Sequence, residues 1–145
     1  MSEWAKDITD MHNKFGVHDW VNDCIMDNNF VALNKFLKFR IDFLQEELNE
    51  TAKAVNTYNS EEIVDGLIDL CVIAIGTLDI LGVDSDAAWK SVHEANMSKE
   101  PGIKESRPNP LGLPDMIKPE GWIGPNHSNN IGDLYEFLKD ETNKD

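Results

Sequence analysis

The segment 63–81 constrains the fold of this chain more than any other, because it is apolar on nearly every side of a helix yet contains three aspartates. Ser60, followed by Glu61 and Glu62, predicts a helix N-cap with acids in the first turn, and Gly82 predicts the helix end. A helix that is apolar nearly all round is normally buried. Because each carboxylate would be costly in hydrocarbon, we interpret the segment as a core helix and not as a membrane span.

Six acidic residues form a stripe on this helix and on one side of the helix before it. No Lys or Arg occurs between Lys53 and Lys90 to neutralise them locally. An antiparallel hairpin that folds back at residues 56–60 brings the two sets level to within about one turn. Converging carboxylates without His or Cys suit Mg²⁺, or Mn²⁺, better than zinc. The acids are Glu46, Glu47, Glu50, Glu62, Asp65 and Asp69.

Two simpler interpretations compete with a metal site. The three glutamates of the first helix alone are typical of an ordinary solvated face. Asp65 and Asp69 need a partner in an apolar helix, and Arg40, Lys53 or Lys90 could supply one from elsewhere in the fold. The occurrence of both acidic sets on neighbouring helices favours the metal.

The remaining sequence predicts an all-α fold, a four-helix-type bundle with an irregular arm. Apolar spacing predicts helices over about 2–15, 37–56 and 60–81, with a short helical turn around 18–27. Asp84 or Ser85 is expected to cap a fourth helix, and the helical pattern is lost beyond Lys99. Residues 101–125 contain six prolines and four glycines, so we expect an ordered but irregular arm there. A short helix over about 131–138 and a frayed polar end, 139–145, complete the prediction. We expect a bundle domain at 1–100 and an arm at 101–145 that packs on the bundle or on a neighbouring subunit.

Composition narrows the functional classes further. There are 27 Asp and Glu against 13 Lys and Arg, a net charge of −14, so the sequence offers no obvious basic face for nucleic acid or anionic membranes. Two distant cysteines, Cys24 and Cys71, indicate a reduced thiol protein. The N-terminus lacks a basic segment followed by an apolar one, so we expect a cytoplasmic location.

The acids stand in a recognisable arrangement. Glu46-Glu47-Leu48-Asn49-Glu50, eleven residues, then Glu62-Ile63-Val64-Asp65 resembles the EExxE and ExxD motifs of the all-α nucleotide pyrophosphohydrolases. Phe39-Arg40, Gly82-Val83-Asp84 and the segment 93–99 also look like the MazG-like and phosphoribosyl-ATP pyrophosphohydrolase-like branch. The resemblance covers about residues 4–100.

The resemblance implies an enzyme that uses Mg²⁺ to convert a nucleoside triphosphate, ribo or deoxy, to the monophosphate and pyrophosphate. It implies a homodimer or a dimer of dimers, with nucleotide-pool housekeeping as its role. It also implies specific site residues, which follow. The metal ligands would be Glu47, Glu50, Glu62 and Asp65, and Asp69 would support them from the next turn. The catalytic residues would be Glu46 and Glu47, with Glu46 as a base or a support for the ligands. Substrate would be contacted by Arg40, Asn96 and Lys99.

Alternatives remain open at this point. Within the same superfamily, phosphoribosyl-ATP pyrophosphohydrolase and dUTPase or dCTPase activities compete, although a net charge of −14 disfavours phosphoribosyl-ATP and no uracil-specific insertion is recognisable. A non-enzymatic module that binds a nucleotide or a partner helix is a second class. A di-iron bundle is disfavoured, because its usual Glu-x-x-His pairs are missing from both motifs.

Aromatic and imidazole groups outside the motifs permit two interpretations. Trp122 either closes over the base or anchors the arm, and we favour the anchor. A base pocket near the N-terminus could be lined by His12, Phe15, His18 and Trp20. We favour a different interpretation, in which Phe15 and Trp20 pack in the core and the two histidines are exposed to solvent.

Overall fold

The computed structural model describes residues 1–139 and is mainly α-helical, which confirms the all-α prediction. The frayed end predicted for 139–145 lies, after Lys139, outside the described residues. Within them no single helix is long and apolar enough to cross a membrane, and the bent pair Ser60–Ile80 and Ser85–Met97 reaches the required length and composition only when both helices are counted together. The elements are α1 (Glu3–Lys14), α2 (Val17–Met26), α3 (Phe30–Asn56), α4 (Ser60–Ile80), α5 (Ser85–Met97), β1 (Glu100–Gly102), β2 (Asp115–Ile117) and α6 (Leu134–Phe137).

Side-chain caps fix several helix starts. The Ser2 hydroxyl accepts a hydrogen bond from the backbone N–H of Ala5 and begins α1 where the sequence predicted. The cap of α4 is Asn59 and not Ser60 as predicted, because the Asn59 side chain accepts from the N–H of Glu62 while Ser60 is already helical. Asn29 caps α3, which therefore starts a full two turns before the predicted 37.

Helices α3 and α4 form the predicted antiparallel hairpin, and two contacts define its register. Thr51 lies against Gly66, where an added Cβ would collide with its hydroxyl. Eleven residues earlier on α3 and eleven later on α4, Arg40 donates from Nε to the hydroxyl of Thr77 at 3.1 Å. The helices therefore run level from the connecting loop to this second contact.

The core lies where α2, α3 and the end of α4 meet the C-terminal segment. Leu33 and Phe137 are almost completely buried in it. The backbone N–H of Asp133 donates to the carbonyl of Leu81, and the Asn34 amide donates to the carbonyl of Phe137 at 3.1 Å. Gly132 adopts φ +52 and passes so close to the Leu81 carbonyl that no side chain fits there. These contacts hold α6 on the bundle.

The expectation that α4 is buried nearly all round is wrong for its first half. Val64, Leu67 and Ile68 are exposed, whereas Ile73 and Ile80 are buried. Hydrophobicity reports that a side chain avoids water but not whether its own chain covers it. The apolar first half of α4 is thus an uncovered surface of the single chain.

Contacts divide the chain into two compact units, residues 1–85 with the segment from 131 onward, and residues 86–130. The second unit contains α5 and residues 101–130 of the arm, which packs on that helix. The Trp122 indole N–H donates to the Ala95 carbonyl and to the Ser98 hydroxyl, both at 3.0 Å. Trp122 therefore anchors the arm, as favoured from the sequence.

The arm also contains regular structure that the sequence did not reveal. Strands β1 and β2 pair antiparallel, with Pro101 opposite Met116. Each strand has three residues, which is too short for an alternating pattern of apolar and polar side chains to be detected. The arm is an ordered segment with a small two-stranded ribbon, and not wholly irregular as predicted.

Candidate metal and nucleotide site

The six predicted acids, Glu46, Glu47, Glu50, Glu62, Asp65 and Asp69, lie on α3 and α4, and we call them the acidic face. Glu47 is its best-surrounded member and is partly buried. Partial burial raises the pKa of the Glu47 carboxyl, and the negative charges of Glu50, Asp69, Glu46 and Asp65 raise it further. Charges from both helices therefore act on one carboxyl group, which is the convergence expected from the hairpin.

The acidic face has no cationic partner in the part of the chain that the structure describes. The ion pairs that Lys and Arg form there involve other acids. Neither Arg40 nor Lys53 forms an ion pair with Asp65 or Asp69 among the described residues. Lys90, in the second unit, pairs with Glu94 on its own helix. The ion pairs therefore do not support the simpler interpretation, in which these cations are the partners of the two aspartates.

Glu62 and Asp65 line an open cavity of about 490 Å³ on the exposed side of α4. The hairpin register places Glu62 about one turn nearer the connecting loop than Asp65, and Glu62 is not among the charges that raise the pKa of Glu47. Val64 and Ile68 provide the apolar part of the same cavity wall. This face thus combines carboxylates with an apolar surface.

The acids are less buried than the sequence indicated. Glu46, Glu50, Glu62 and Asp65 are exposed, and only Glu47 and Asp69 are intermediate. Burial was inferred from the apolar character of α4, and that inference fails here for the same reason as for Val64 and its neighbours. Among residues 1–139, the acidic face does not form a cluster of three ligand atoms lying within 4.8 Å of one another.

The predicted substrate contacts are engaged with nearby protein groups. Arg40 is half-buried and donates to Thr77 and, from Nη2, to the Ile73 carbonyl at 3.0 Å. Burial lowers the pKa of its guanidinium. In the second unit, Lys99 donates to the Asn96 side-chain oxygen at 3.1 Å, and its ammonium lies 5.1 Å from the Trp122 ring centroid. Lys99 is therefore not a simple solvated cation.

A second polar cluster was missed by sequence reasoning. His12 on α1 and His18 on α2 both contact Asp79 on α4, so the prediction of solvent exposure for these histidines is wrong. Phe15, predicted in the core, is instead exposed, and Trp20 is partly exposed against the Phe36 ring. The available signal was Asp79 itself, an acid near the end of an apolar helix that needed a partner.

Asp79 is the centre of this cluster. Burial by itself raises the pKa of Asp79, but hydrogen bonds from His12 and Thr9 and the charges of His18 and His12 together lower it. The Thr9 hydroxyl donates to Oδ1 at 2.7 Å, and His12 Nδ1 lies 2.7 Å from Oδ2. The ionised carboxylate is thus favoured inside the bundle.

Comparison with known proteins agrees with the geometry. Residues 27–96 match the family model described as phosphoribosyl-ATP pyrophosphohydrolase. The matched segment contains α3, α4 and all but the last residue of α5, and includes every member of the acidic face. A comparison with curated proteins returned no match.

The all-α fold and the family match together define a pyrophosphohydrolase, an enzyme that acts on acid anhydrides. Residues 27–96 match the phosphoribosyl-ATP pyrophosphohydrolase domain, which is part of the MazG-like all-α superfamily.

Proposed function

We propose that this chain is a Mg²⁺-dependent nucleoside triphosphate pyrophosphohydrolase that converts an NTP or dNTP and water to the monophosphate and pyrophosphate. The observation that carries the proposal is the position of Glu47. Carboxylates of α3 and α4 surround it, and no Lys or Arg of the described chain pairs with them. Such mutual repulsion is relieved when a cation binds between the carboxylates.

The donor set fits magnesium. All groups of the acidic face offer carboxylate oxygens, which hard cations prefer, and neither His nor Cys is among them. Glu47, Glu50, Glu62 and Asp65 would hold the ion, and Asp69 would support them from the next turn of α4. Mn²⁺ has the same ligand preference and is expected to substitute. When bound, the metal supplies charge neutralisation on the triphosphate and lowers the pKa of a coordinated water.

The residues of the chain have separate tasks in this reaction. Glu46, exposed beside Glu47, would accept the proton of the attacking water at its carboxylate. Arg40 on α3, which is held by hydrogen bonds to Thr77 and to the Ile73 carbonyl on α4, would contribute positive charge towards the phosphates. Asn96 and Lys99 would contact the base or the phosphates. Water adds to phosphorus, the anhydride bond breaks, and pyrophosphate leaves with the bonding electron pair.

Phosphoribosyl-ATP is a second candidate substrate, favoured by the description of the matching family. Both substrates contain a triphosphate that yields pyrophosphate, so the same acidic face serves either reaction. The difference lies in the extra ribosyl phosphate, whose negative charge requires a cationic contact. The net charge of −14 favours the smaller nucleotide.

We further propose that the enzyme works as a homodimer or a dimer of dimers. Ile41, Leu48 and Val55 are exposed on α3 at intervals of seven residues, which places them along one side of that helix. Val64, Leu67 and Ile68 add exposed apolar area on α4. A second copy covering these surfaces would remove them from water and draw the acidic face into a less polar setting.

A cytoplasmic setting is part of the proposal. Cys24 and Cys71 are both free thiols, as proteins of a reducing compartment usually have. The nucleotide substrate is the only partner proposed besides the second copy, with no role for nucleic acid or membrane. This function is nucleotide-pool housekeeping.

The first experiment measures pyrophosphate release from the common ribo- and deoxyribonucleoside triphosphates, dUTP, dCTP and phosphoribosyl-ATP, with Mg²⁺, Mn²⁺ or EDTA. Release that requires the metal, with a nucleoside monophosphate as co-product, supports the proposal and ranks the bases. Release from phosphoribosyl-ATP alone would replace the substrate class. Silence with every compound, together with nucleotide binding, would indicate a binding module instead.

A further inference from the structure

Three side chains meet away from the acidic face, one from each of three helices. His12 Nδ1 on α1 and His18 Nε2 on α2 lie 2.7 and 2.8 Å from the same oxygen of Asp79, Oδ2. One ligand atom from each residue lies within 4.8 Å of the other two. About 5% of the His12 side chain, 16% of the Asp79 side chain and 29% of the His18 side chain are exposed. This is a compact, largely buried set of two imidazoles and one carboxylate.

Hydrogen bonding alone leaves this set incomplete. The contact between His12 and Asp79 has hydrogen-bond geometry, whereas His18 Nε2 is buried and has no hydrogen-bond partner despite its short distance to Oδ2. A buried polar atom without a partner is costly and normally indicates a missing water, ion or ligand. The close approach of three potential donors makes a shared cation the group that satisfies them all.

We propose that His12, His18 and Asp79 bind a transition-metal ion of the zinc class. Two imidazole nitrogens and one carboxylate oxygen are ligands that Zn²⁺ and Co²⁺ accept, and Mg²⁺ disfavours imidazole. Tetrahedral donors around zinc are separated by about 3.3 Å, so the side chains need to move apart from Oδ2 by roughly half an ångström. Binding through Nδ1 requires the proton between His12 and Asp79 to leave that nitrogen, and a neutral imidazole then carries its N–H on Nε2.

The surroundings of the set are consistent with a bound cation. The Thr9 hydroxyl holds the other Asp79 oxygen, Oδ1, at 2.7 Å and so fixes the carboxylate. Arg40 and the His12 ring both lie beside Gly76, where an added Cβ would contact Arg40 Nη2 and the Cε1 edge of His12. Arg40 is tied to Thr77 and the Ile73 carbonyl, whereas Asp79 contacts Nδ1 of the His12 ring. The ion would link α1 and α2 to the end of α4.

The test uses the full-length, chelator-treated protein without nucleotide, and titrates it with Co²⁺. Cobalt bound by two imidazoles and a carboxylate gives visible ligand-field bands of low-coordinate type, which six-oxygen coordination on the acidic face does not. We expect stoichiometric bands, and a rise in melting temperature with Co²⁺ or Zn²⁺ that an equal concentration of Mg²⁺ does not give. Because no substrate is present, the result is independent of the proposed hydrolysis.

Four variants assign the bands. His18→Gln is expected to weaken Co²⁺ binding by more than about 100-fold, and Thr9→Val, which only frees the carboxylate, by about 10-fold. His127→Gln, a histidine of the second unit, and Asp65→Asn are matched controls that should leave the bands unchanged. Circular dichroism verifies that each variant is folded.

Two results would overturn the proposal. The first is a wild-type protein without visible bands at stoichiometric Co²⁺, which would leave a purely hydrogen-bonded cluster. The second is a spectrum that survives His18→Gln or disappears in Asp65→Asn, which would locate the ion elsewhere.

Discussion

Thr51 on α3 occupies the space in which a side chain at Gly66 on α4 would lie. Its hydroxyl also donates to the Glu47 carbonyl one turn earlier at 2.8 Å, so the threonine is held in place from its own helix. The absence of a side chain at Gly66 thus sets the close approach of the two helices that carry the acidic face.

Gly66→Ala is therefore expected to destabilise the protein by about 1–3 kcal/mol through overpacking, although alanine has the higher helix propensity. Chemical denaturation measures the free energy of unfolding. Thr51→Ala should remove most of the penalty in the double variant, because it removes the colliding hydroxyl. Equal penalties for Gly66→Ala with and without Thr51 would show that the contact does not set the helix separation.

Glu50→Gln and Asp65→Asn are expected to abolish pyrophosphate release while the helical fold remains. Each removes a proposed metal ligand and also a repelling charge, so activity should fall by more than about 100-fold without loss of stability. Steady-state assays with Mg²⁺ and circular dichroism check both parts. Asp7→Asn, which removes an exposed acid of α1, is the charge-matched control. Full activity in both site variants would contradict the site assignment.

Glu47→Gln should stabilise the metal-free protein. Because the folded state raises the pKa of Glu47 above its ordinary 4.5, ionised Glu47 opposes folding near neutral pH, and this cost disappears as pH falls through the folded pKa. We expect the melting temperature of the variant in EDTA to exceed that of the wild type by about 1–2 °C near pH 7. The difference should narrow at lower pH. Stabilisation by Mg²⁺ should be reduced in the variant, and an unchanged Mg²⁺ response would oppose a ligand role.

Asp79→Asn should destabilise the metal-free protein, in contrast to Glu47→Gln. The folded state lowers the pKa of Asp79 below its ordinary 3.8, so this carboxylate stabilises the fold above that pH and loses the contribution as pH falls through the folded pKa. Loss of hydrogen bonds to a charged group is expected to cost about 1.5–3 kcal/mol near neutral pH. Thermal unfolding in a chelator from about pH 7 to pH 2.5 should show the two proteins converging below 3.8. A gap that does not depend on pH would mean that the charge is not what matters.

Leu48→Glu should weaken self-association without unfolding the chain. Leu48 is half exposed in a single copy, so the change costs little within the monomer but places a charge in the proposed apolar interface. Sedimentation velocity over a range of concentrations should show a dimer or larger species for the wild type and a shift to monomer for the variant. A wild type that is monomeric at every concentration would eliminate the proposed assembly.

Local sequence patterns predicted the helices well. The spacing of apolar residues located most of α3 and its end at Asn56, although not its first two turns. The acids after residue 60 located α4. Those signals act within a few residues, so they can be read directly from the chain. The N-cap of α4 was predicted at Ser60 and is Asn59 in the structure. This error is of one position only, between two residue types that both cap helices well.

Features that depend on distant segments were predicted less well. The meeting of His12 and His18 with Asp79 requires three helices to be docked, and nothing in the spacing of these residues reports that docking. The prediction that Val64 is buried was wrong for a related reason. Apolar composition indicates a covered surface, but it does not say which molecule covers it. The convergence of acids from α3 and α4 could be predicted, because a hairpin with a short loop leaves little freedom in register.

The crowding of negative charge around Glu47 has an evolutionary consequence. Because these carboxylates repel one another in the metal-free protein, activity and stability compete. Neutral residues in their place would give a more stable fold that has no activity. A library of variants selected only for heat resistance in the presence of a chelator should therefore accumulate Gln, Asn or apolar residues on the acidic face. Selection for survival of the fold alone would erase the site, and the positions lost first would mark where natural selection has maintained a less stable arrangement.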